Sequence, residues 1–136
     1  MTVKTESIRV ALVDDHPVIL QGLKAMLESM EGIQVVGTSD EGHAAVEMIL
    51  KEKPDVALMD VRLPGLNGLE AMRRLKEKMP ELQVILITVS DSDLYLVEAL
   101  RFGASGYLTK DSSKSLIHHA IQASVSGGTT VSSLLV

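Results

Sequence analysis

Two adjacent acids, Asp14 and Asp15, a third acid, Asp60, a hydroxyl, Thr88, and an ammonium, Lys110, each stand at or just past the end of a short apolar run. The runs cover residues 8–13, 55–59, 84–87 and 107–108 and read as buried strands. If those strands are parallel neighbours, their carboxyl ends share one edge of a sheet. Three carboxylates, a hydroxyl and an ammonium then converge on one shallow site. Clustered carboxylates repel one another by about 4 kcal/mol per pair at about 4 Å and an effective dielectric near 20. A divalent cation removes that penalty. Magnesium suits the set best, with oxygen ligands at roughly 2.1 Å and several retained waters. Manganese can substitute on the same oxygens, and calcium is less suited to so few carboxylates.

With a metal in place, Asp60 is a candidate oxygen nucleophile toward phosphorus, since carboxylates form acyl-phosphate intermediates. Lys110 can meet the same phosphoryl group from the other side, and Thr88 can donate its hydroxyl to a phosphoryl oxygen. Each residue alone is ordinary. Asp-Asp after a strand commonly makes a turn or a helix cap, and a lone Thr or Lys at a strand end needs no function. Their joint occurrence at four strand ends carries the reading.

The elements that must position these groups alternate along the chain. Strand patterns cover residues 8–13, 34–38, 55–59, 83–87 and 105–108, mostly as continuous apolar runs, as expected for strands buried on both faces of a parallel sheet. Helical patterns cover residues 17–30, 43–51, 69–79, 92–102 and 114–126, with apolar residues three and four apart, as in Leu69, Met72, Leu75 and Met79. Asp15-His16-Pro17 suits a helix start, and Gly32, Gly103 and Gly127-Gly128 sit where helices should end. Five strand–helix units with short connections predict a doubly wound α/β sandwich. Eight such units, as in a barrel, need about 250 residues. Residues 129–136 read as a short extended tail or the start of a linker.

Composition narrows the function classes. A chain of 136 residues fits one domain, and its charge of −5 argues against this segment gripping nucleic acid by itself. Cys is absent, which removes disulfides, thiol catalysis and Cys-based zinc sites. No apolar run approaches the roughly 18 residues of a membrane span, and the N-terminus does not pass as a signal peptide, so a cytoplasmic protein is expected. Neither G-x-G-x-x-G nor G-x-x-x-x-G-K occurs, and Asp14-Asp15 would repel a flavin phosphate.

These residues resemble the receiver domain of two-component response regulators over residues 7–128. The matching pieces are Val-Asp-Asp-His-Pro at 13–17, Leu-Met-Asp-Val-Arg-Leu-Pro-Gly-Leu-Asn-Gly-Leu-Glu at 58–70, Ile-Leu-Ile-Thr at 85–88 and Gly-Tyr-Leu-Thr-Lys-Asp at 106–111. Asp-Asp-His-Pro, Gly-Tyr-Leu-x-Lys-Asp and Ser-Gly-Gly-Thr at 126–129 are similar to the LuxR/NarL-type branch, whose receivers precede a helix-turn-helix domain. The resemblance implies a flavodoxin-like (βα)5 fold with a five-stranded parallel sheet in the order 2-1-3-4-5. It implies that Asp60 is the phosphoacceptor, Asp15 a direct magnesium ligand, Asp14 a ligand through water and the Arg62 backbone carbonyl a further ligand. Thr88 and Tyr107 match the family's switch pair, and Arg62 and Ser90 the positions that tune acyl-phosphate lifetime. The chain departs from the family in carrying Asp111 after Lys110, where proline is frequent, and Val89 after Thr88, where a smaller residue is common and hydrolysis is faster.

The expected function is therefore a magnesium-dependent switch that accepts phosphoryl from a sensor histidine kinase on Asp60. Its only chemistry would be on itself, as phosphoryl uptake and slow self-dephosphorylation. The expected output is transcriptional, through homodimerisation or release of a C-terminal DNA-binding domain absent from this sequence. The alternative is a degenerate receiver acting as a phosphorylation-independent interaction module. An aspartate-nucleophile phosphatase of the haloacid dehalogenase kind would want a second acid two residues after Asp60, where Arg62 stands. Elsewhere, His118-His119 reads as a solvated helix face, His16 as part of a helix start, and Tyr95 and Leu96 as packing or a partner surface.

Overall fold

Strands and helices alternate as β1 (Ile8–Val13), α1 (Pro17–Glu28), β2 (Ile33–Ser39), α2 (Gly42–Glu52), β3 (Val56–Asp60), α3 (Gly68–Lys78), β4 (Gln83–Thr88), α4 (Leu96–Arg101), β5 (Gly106–Thr109), α5 (Lys114–Val125) and β6 (Thr130–Val131). The computed structural model describes residues 7–89 and 95–132. The expected start of the fourth helix, residue 92, lies outside the described residues, and α4 begins at Leu96.

The continuous apolar runs have a simple cause. Along the central strands, successive side chains enter opposite layers. Ala11, Val13, Ala57, Met59, Val84 and Leu86 face a layer built by Ala45 and Ile49 of α2, Ala71, Met72 and Leu75 of α3, and Ala99 of α4. Val10, Leu12, Val56, Leu58, Ile85 and Ile87 face a second layer built by Leu23 and Leu27 of α1 and Ile117, Ala120 and Ile121 of α5. No face of β3 meets water, and all five of its residues are buried. A polar residue anywhere in that strand except its last position would have to be buried without solvent.

All the strand pairs are parallel, and the sheet order is β2-β1-β3-β4-β5-β6. The expected core order 2-1-3-4-5 is present, but the sheet has six strands rather than five. Gly106 pairs with Thr130 and Tyr107 with Val131, so the segment expected as a tail begins as an edge strand on β5. Ser132 N–H extends the pairing by donating to the Tyr107 carbonyl at 3.0 Å. A two-residue strand is too short to leave a periodic signature, which is why the sequence pattern stops at Gly128.

Helix ends follow local chemistry. Asn67 accepts from Glu70 N–H at 2.9 Å and Ser113 from Leu116 N–H at 3.1 Å, caps that each contribute about 1 kcal/mol. Lys53 closes α2 in the left-handed region at φ 50°, with no glycine to mark it, and Arg9 Nη1 holds its carbonyl at 2.9 Å. Every peptide bond among the described residues is trans, Lys110–Asp111 included.

Candidate functional site

The sheet order places β1, β3, β4 and β5 side by side, so their carboxyl ends form one edge. In open α/β sheets that edge is where ligands bind. Asp14 follows β1, Asp60 is the last residue of β3, Thr88 the last of β4, and Lys110 follows β5. Asp14, Asp60 and Thr88 are buried, and the Lys110 side chain is only 6% exposed. Backbone bonds hold the ends in register: Lys110 N–H donates to the Thr88 carbonyl at 2.8 Å and Val61 N–H to the Ile87 carbonyl at 2.9 Å.

Lys110 bridges the acids. Its Nζ lies 2.7 Å from Asp14 Oδ2 and 2.8 Å from Asp60 Oδ2. The other oxygen of Asp60, Oδ1, accepts the Arg62 backbone N–H at 2.9 Å, which fixes the rotation of the carboxylate. The loop that makes this bond is itself anchored, since Leu63 and Leu66 are buried and Gly68 N–H donates to the Val61 carbonyl at 2.8 Å. The phosphoacceptor candidate is thus held from both sides before any ligand arrives.

Charge at this edge is not balanced by Lys110 alone. Burial pushes the Asp60 carboxyl above its ordinary value and Asp14 adds to the push; Lys110 and the Arg62 N–H only partly offset them. Burial acts to lower the Lys110 ammonium, but hydrogen bonding and charge from Asp14 and Asp60 outweigh it and leave its pKa raised. The two shifts have opposite consequences for stability. For Asp60 the folded pKa exceeds the unfolded one, so the folded state holds the extra proton and stability rises as pH falls through the folded value. Above that value the cost of the buried charge is fully present. For Lys110 the stabilisation is present below the unfolded pKa and is lost as pH rises through the higher folded one. Asp60→Asn is therefore expected to raise the melting temperature of metal-free protein near neutral pH, by about 4 °C for each kcal/mol relieved. The advantage should shrink as the solution is acidified through the raised Asp60 pKa. Melting curves over a pH series check both the sign and the window.

The donor set fits a divalent cation. One oxygen from each of Asp14, Asp15 and Asp60 and a ring nitrogen of His16 lie within 4.8 Å of one another. Asp15 Oδ1 is buried and accepts no hydrogen bond. His16 Nδ1 stands 3.0 Å from it. A buried carboxylate oxygen without a hydrogen bond, in a residue clustered with two further acids, is what a hard cation would satisfy.

His16 stands at the helix start as expected, but its ring contacts were not foreseen. It is the N-cap of α1, but its side chain makes no capping bond. Its ring turns toward the acids, with Nδ1 3.0 Å from Asp14 Oδ1 and 3.2 Å from Lys110 Nζ. Its position next to Asp14-Asp15, with Pro17 fixing the following backbone, was the available signal. Tyr107 is buried in the layer beneath α3 and α4. Arg62 is exposed apart from its backbone role, and Val89 is 63% exposed. Ser90 lies outside the described residues. His118 is half-buried and His119 exposed on α5, and neither joins the acidic cluster.

Comparison with known proteins gives the family. Residues 10–122 match the family described as the response regulator receiver domain. The chain is 40% identical over 120 residues to the response regulator GacA of Pseudomonas viridiflava, covering 88% of this chain and 56% of that protein. It is 38% identical over 126 residues to the transcriptional regulatory protein MctR of Rhizobium johnstonii, covering 93% of this chain and 59% of that protein. It thus spans little more than half the length of these relatives. Among solved structures, a LuxR-family two-component response regulator from Aurantimonas sp. SI85-9A1 superposes with a TM-score of 0.90 at 30% identity, covering 96% of this chain and 93% of that one.

Proposed function

This chain belongs to the response regulator receiver family, and on that premise we propose that it is a phosphorylation-dependent switch whose acceptor is Asp60. A carboxylate oxygen of Asp60 attacks the phosphorus of a phosphohistidine on a sensor histidine kinase. The new O–P bond makes an aspartyl phosphate, and the electron pair of the broken P–N bond stays with the imidazole. The observation that carries this reading is Lys110 Nζ at 2.8 Å from Asp60 Oδ2, an ammonium already standing where phosphoryl oxygens would gather charge.

Asp15 and Asp60 would hold a Mg2+ ion directly, Asp14 through water and Arg62 through its backbone carbonyl; Mn2+ would serve in its place. That ion would spread the charge of the phosphoryl oxygens. Thr88 would donate its hydroxyl to the phosphoryl group, and Tyr107 would occupy the space behind it. A shift from mostly off to mostly on requires about 5.5 kcal/mol of differential stabilisation between the two arrangements. Arg62 and Ser90 would tune how long the acyl phosphate survives.

The chemistry is confined to the protein's own Asp60, so the chain is a signalling protein rather than an enzyme acting on other molecules. Its relatives named as transcriptional regulators are longer, and the output proposed here is transcription through a helix-turn-helix domain outside this sequence, with homodimerisation as one route. Among the described residues no helix is long and apolar enough to cross a membrane. A cytoplasmic location is the reading that fits a histidine-kinase partner.

Intact mass after incubation with Mg2+ and a small-molecule phosphodonor tests the proposal. A gain of one phosphoryl group that needs the metal and disappears in Asp60→Asn is the expected result. No gain in protein shown to bind metal would replace the switch with a phosphorylation-independent interaction module.

A further inference from the structure

The ring of His16 is not needed to build the helix start. It caps no helix N–H, although its residue is the N-cap of α1. Its backbone is fixed independently of the ring, because His16 N–H donates to Asp14 Oδ1 at 2.8 Å and its carbonyl accepts Leu20 N–H at 2.9 Å. Pro17 follows at the first helical position and restricts the turn. The side chain is 55% exposed, so burial does not drive it inward either. Yet Nδ1 sits 3.0 Å from both Asp14 Oδ1 and Asp15 Oδ1.

One Nδ1–H can satisfy one carboxylate oxygen, and two stand at the same distance. Lys110 Nζ, which can only donate, lies 3.2 Å from the same nitrogen and asks it to accept. The demands on this atom conflict in the metal-free arrangement. A cation among the acids would satisfy their oxygens and take the Nδ1 lone pair, while Lys110 keeps Asp14 and Asp60 as its partners; a neutral imidazole is a common metal ligand through either ring nitrogen.

Resting on the reading that Asp15 and Asp60 hold a divalent ion, we propose that His16 Nδ1 is a further ligand to that ion and biases the site toward Mn2+ over Mg2+. Magnesium is a hard cation that prefers oxygen donors and retained waters. Manganese accepts the same oxygens and, as the first and weakest member of the first-row series that binds mixed nitrogen and oxygen sites, tolerates one nitrogen donor better than magnesium does. A mixed set of carboxylates and one imidazole therefore favours manganese where carboxylates alone favour neither strongly.

Binding of the metals alone, without phosphodonor, tests the assignment. Mn2+ and Mg2+ affinities are measured for the wild-type chain and for His16→Gln, and pulsed electron paramagnetic resonance on the Mn2+ complex reads any directly bound nitrogen. Melting curves of the metal-free proteins confirm that the half-exposed substitution leaves the fold intact. The expected result is a bound-nitrogen coupling that shifts on histidine isotope labelling and disappears in His16→Gln. The preference for Mn2+ over Mg2+ should fall about tenfold in the same variant. Tight Mn2+ binding with no bound nitrogen, or an unchanged preference in His16→Gln, would overturn the role of His16 and leave the carboxylate site standing. Failure of the wild-type chain to bind either ion would overturn both.

Discussion

Lys110→Met is expected to cut phosphoryl uptake at Asp60 by about a hundredfold or more, the usual cost of removing one donor aimed at developing charge. The side chain is nearly buried and spans Asp14 and Asp60 at 2.7 and 2.8 Å, so no other ammonium among the described residues can take its place at this edge. The same substitution is expected to destabilise metal-free protein by about 3 kcal/mol, because it leaves buried carboxylates without their cation. Mg2+ should restore much of that stability but not the uptake rate, since a metal among the acids cannot also occupy the position of Nζ. Urea denaturation with and without Mg2+, run beside the mass assay, separates the two effects. Asp60→Asn should move stability in the opposite direction, and the double variant should lie between. Equal destabilisation by both single variants would contradict the charge imbalance inferred at this edge.

Gly68→Ala is expected to be comparably damaging although it adds only one methyl group. A Cβ at Gly68 would lie 2.1 Å from the Asp60 carbonyl oxygen and 3.0 Å from Val61 Cα. The clashing atoms are backbone, so no rotamer relieves them, and the first turn of α3 must move off the end of β3. The expected cost is about 3 kcal/mol, at the upper end for overpacking. Function should suffer further, because the displaced backbone carries the proposed phosphoacceptor. A shift of about 1 Å at a reacting group can cost about a hundredfold in rate. Gly22→Ala is the control. Nothing lies within 4 Å of a Cβ there, and the position is an exposed helical one in α1. That change should stabilise the protein by about 0.5–1 kcal/mol with no effect on uptake. Chemical denaturation and the mass assay on the two variants give the contrast directly.

Much of this site was legible from the chain because strand ends announce themselves. Runs such as residues 8–13 and 84–87 are apolar at every position since both faces of their strands are covered, and the first polar residue after such a run must lie at the sheet edge. That reasoning located Asp14, Asp15, Asp60, Thr88 and Lys110 without coordinates. It was less exact at boundaries: Asp60 and Thr88 close their strands rather than follow them, and Asp55 precedes β3, where its carboxylate accepts Arg9 N–H at 2.9 Å. The LuxR/NarL-type motifs supplied what spacing could not, namely the strand order and the roles proposed for Tyr107 and Arg62.

Three features depended on contacts between residues distant in sequence. β6 exists because Thr130 and Val131 find the open edge of β5, and two residues have no periodicity of their own. Gly68 looks like any glycine after Asn67 until α3 is seen abutting the Asp60 carbonyl. His16 reads as a helix start, which it is, but its ring direction is decided by Lys110, 94 residues away, and by the two acids beside it. The sequence by itself determined the alternation of buried strands and amphipathic helices and the residue types at the strand ends, because burial and periodicity are local properties of the chain. Only the tertiary structure decided which strand ends are neighbours, how Lys110 divides itself between Asp14 and Asp60, and where the ring of His16 points, because those depend on distances of a few ångströms between segments that sequence order leaves unconnected.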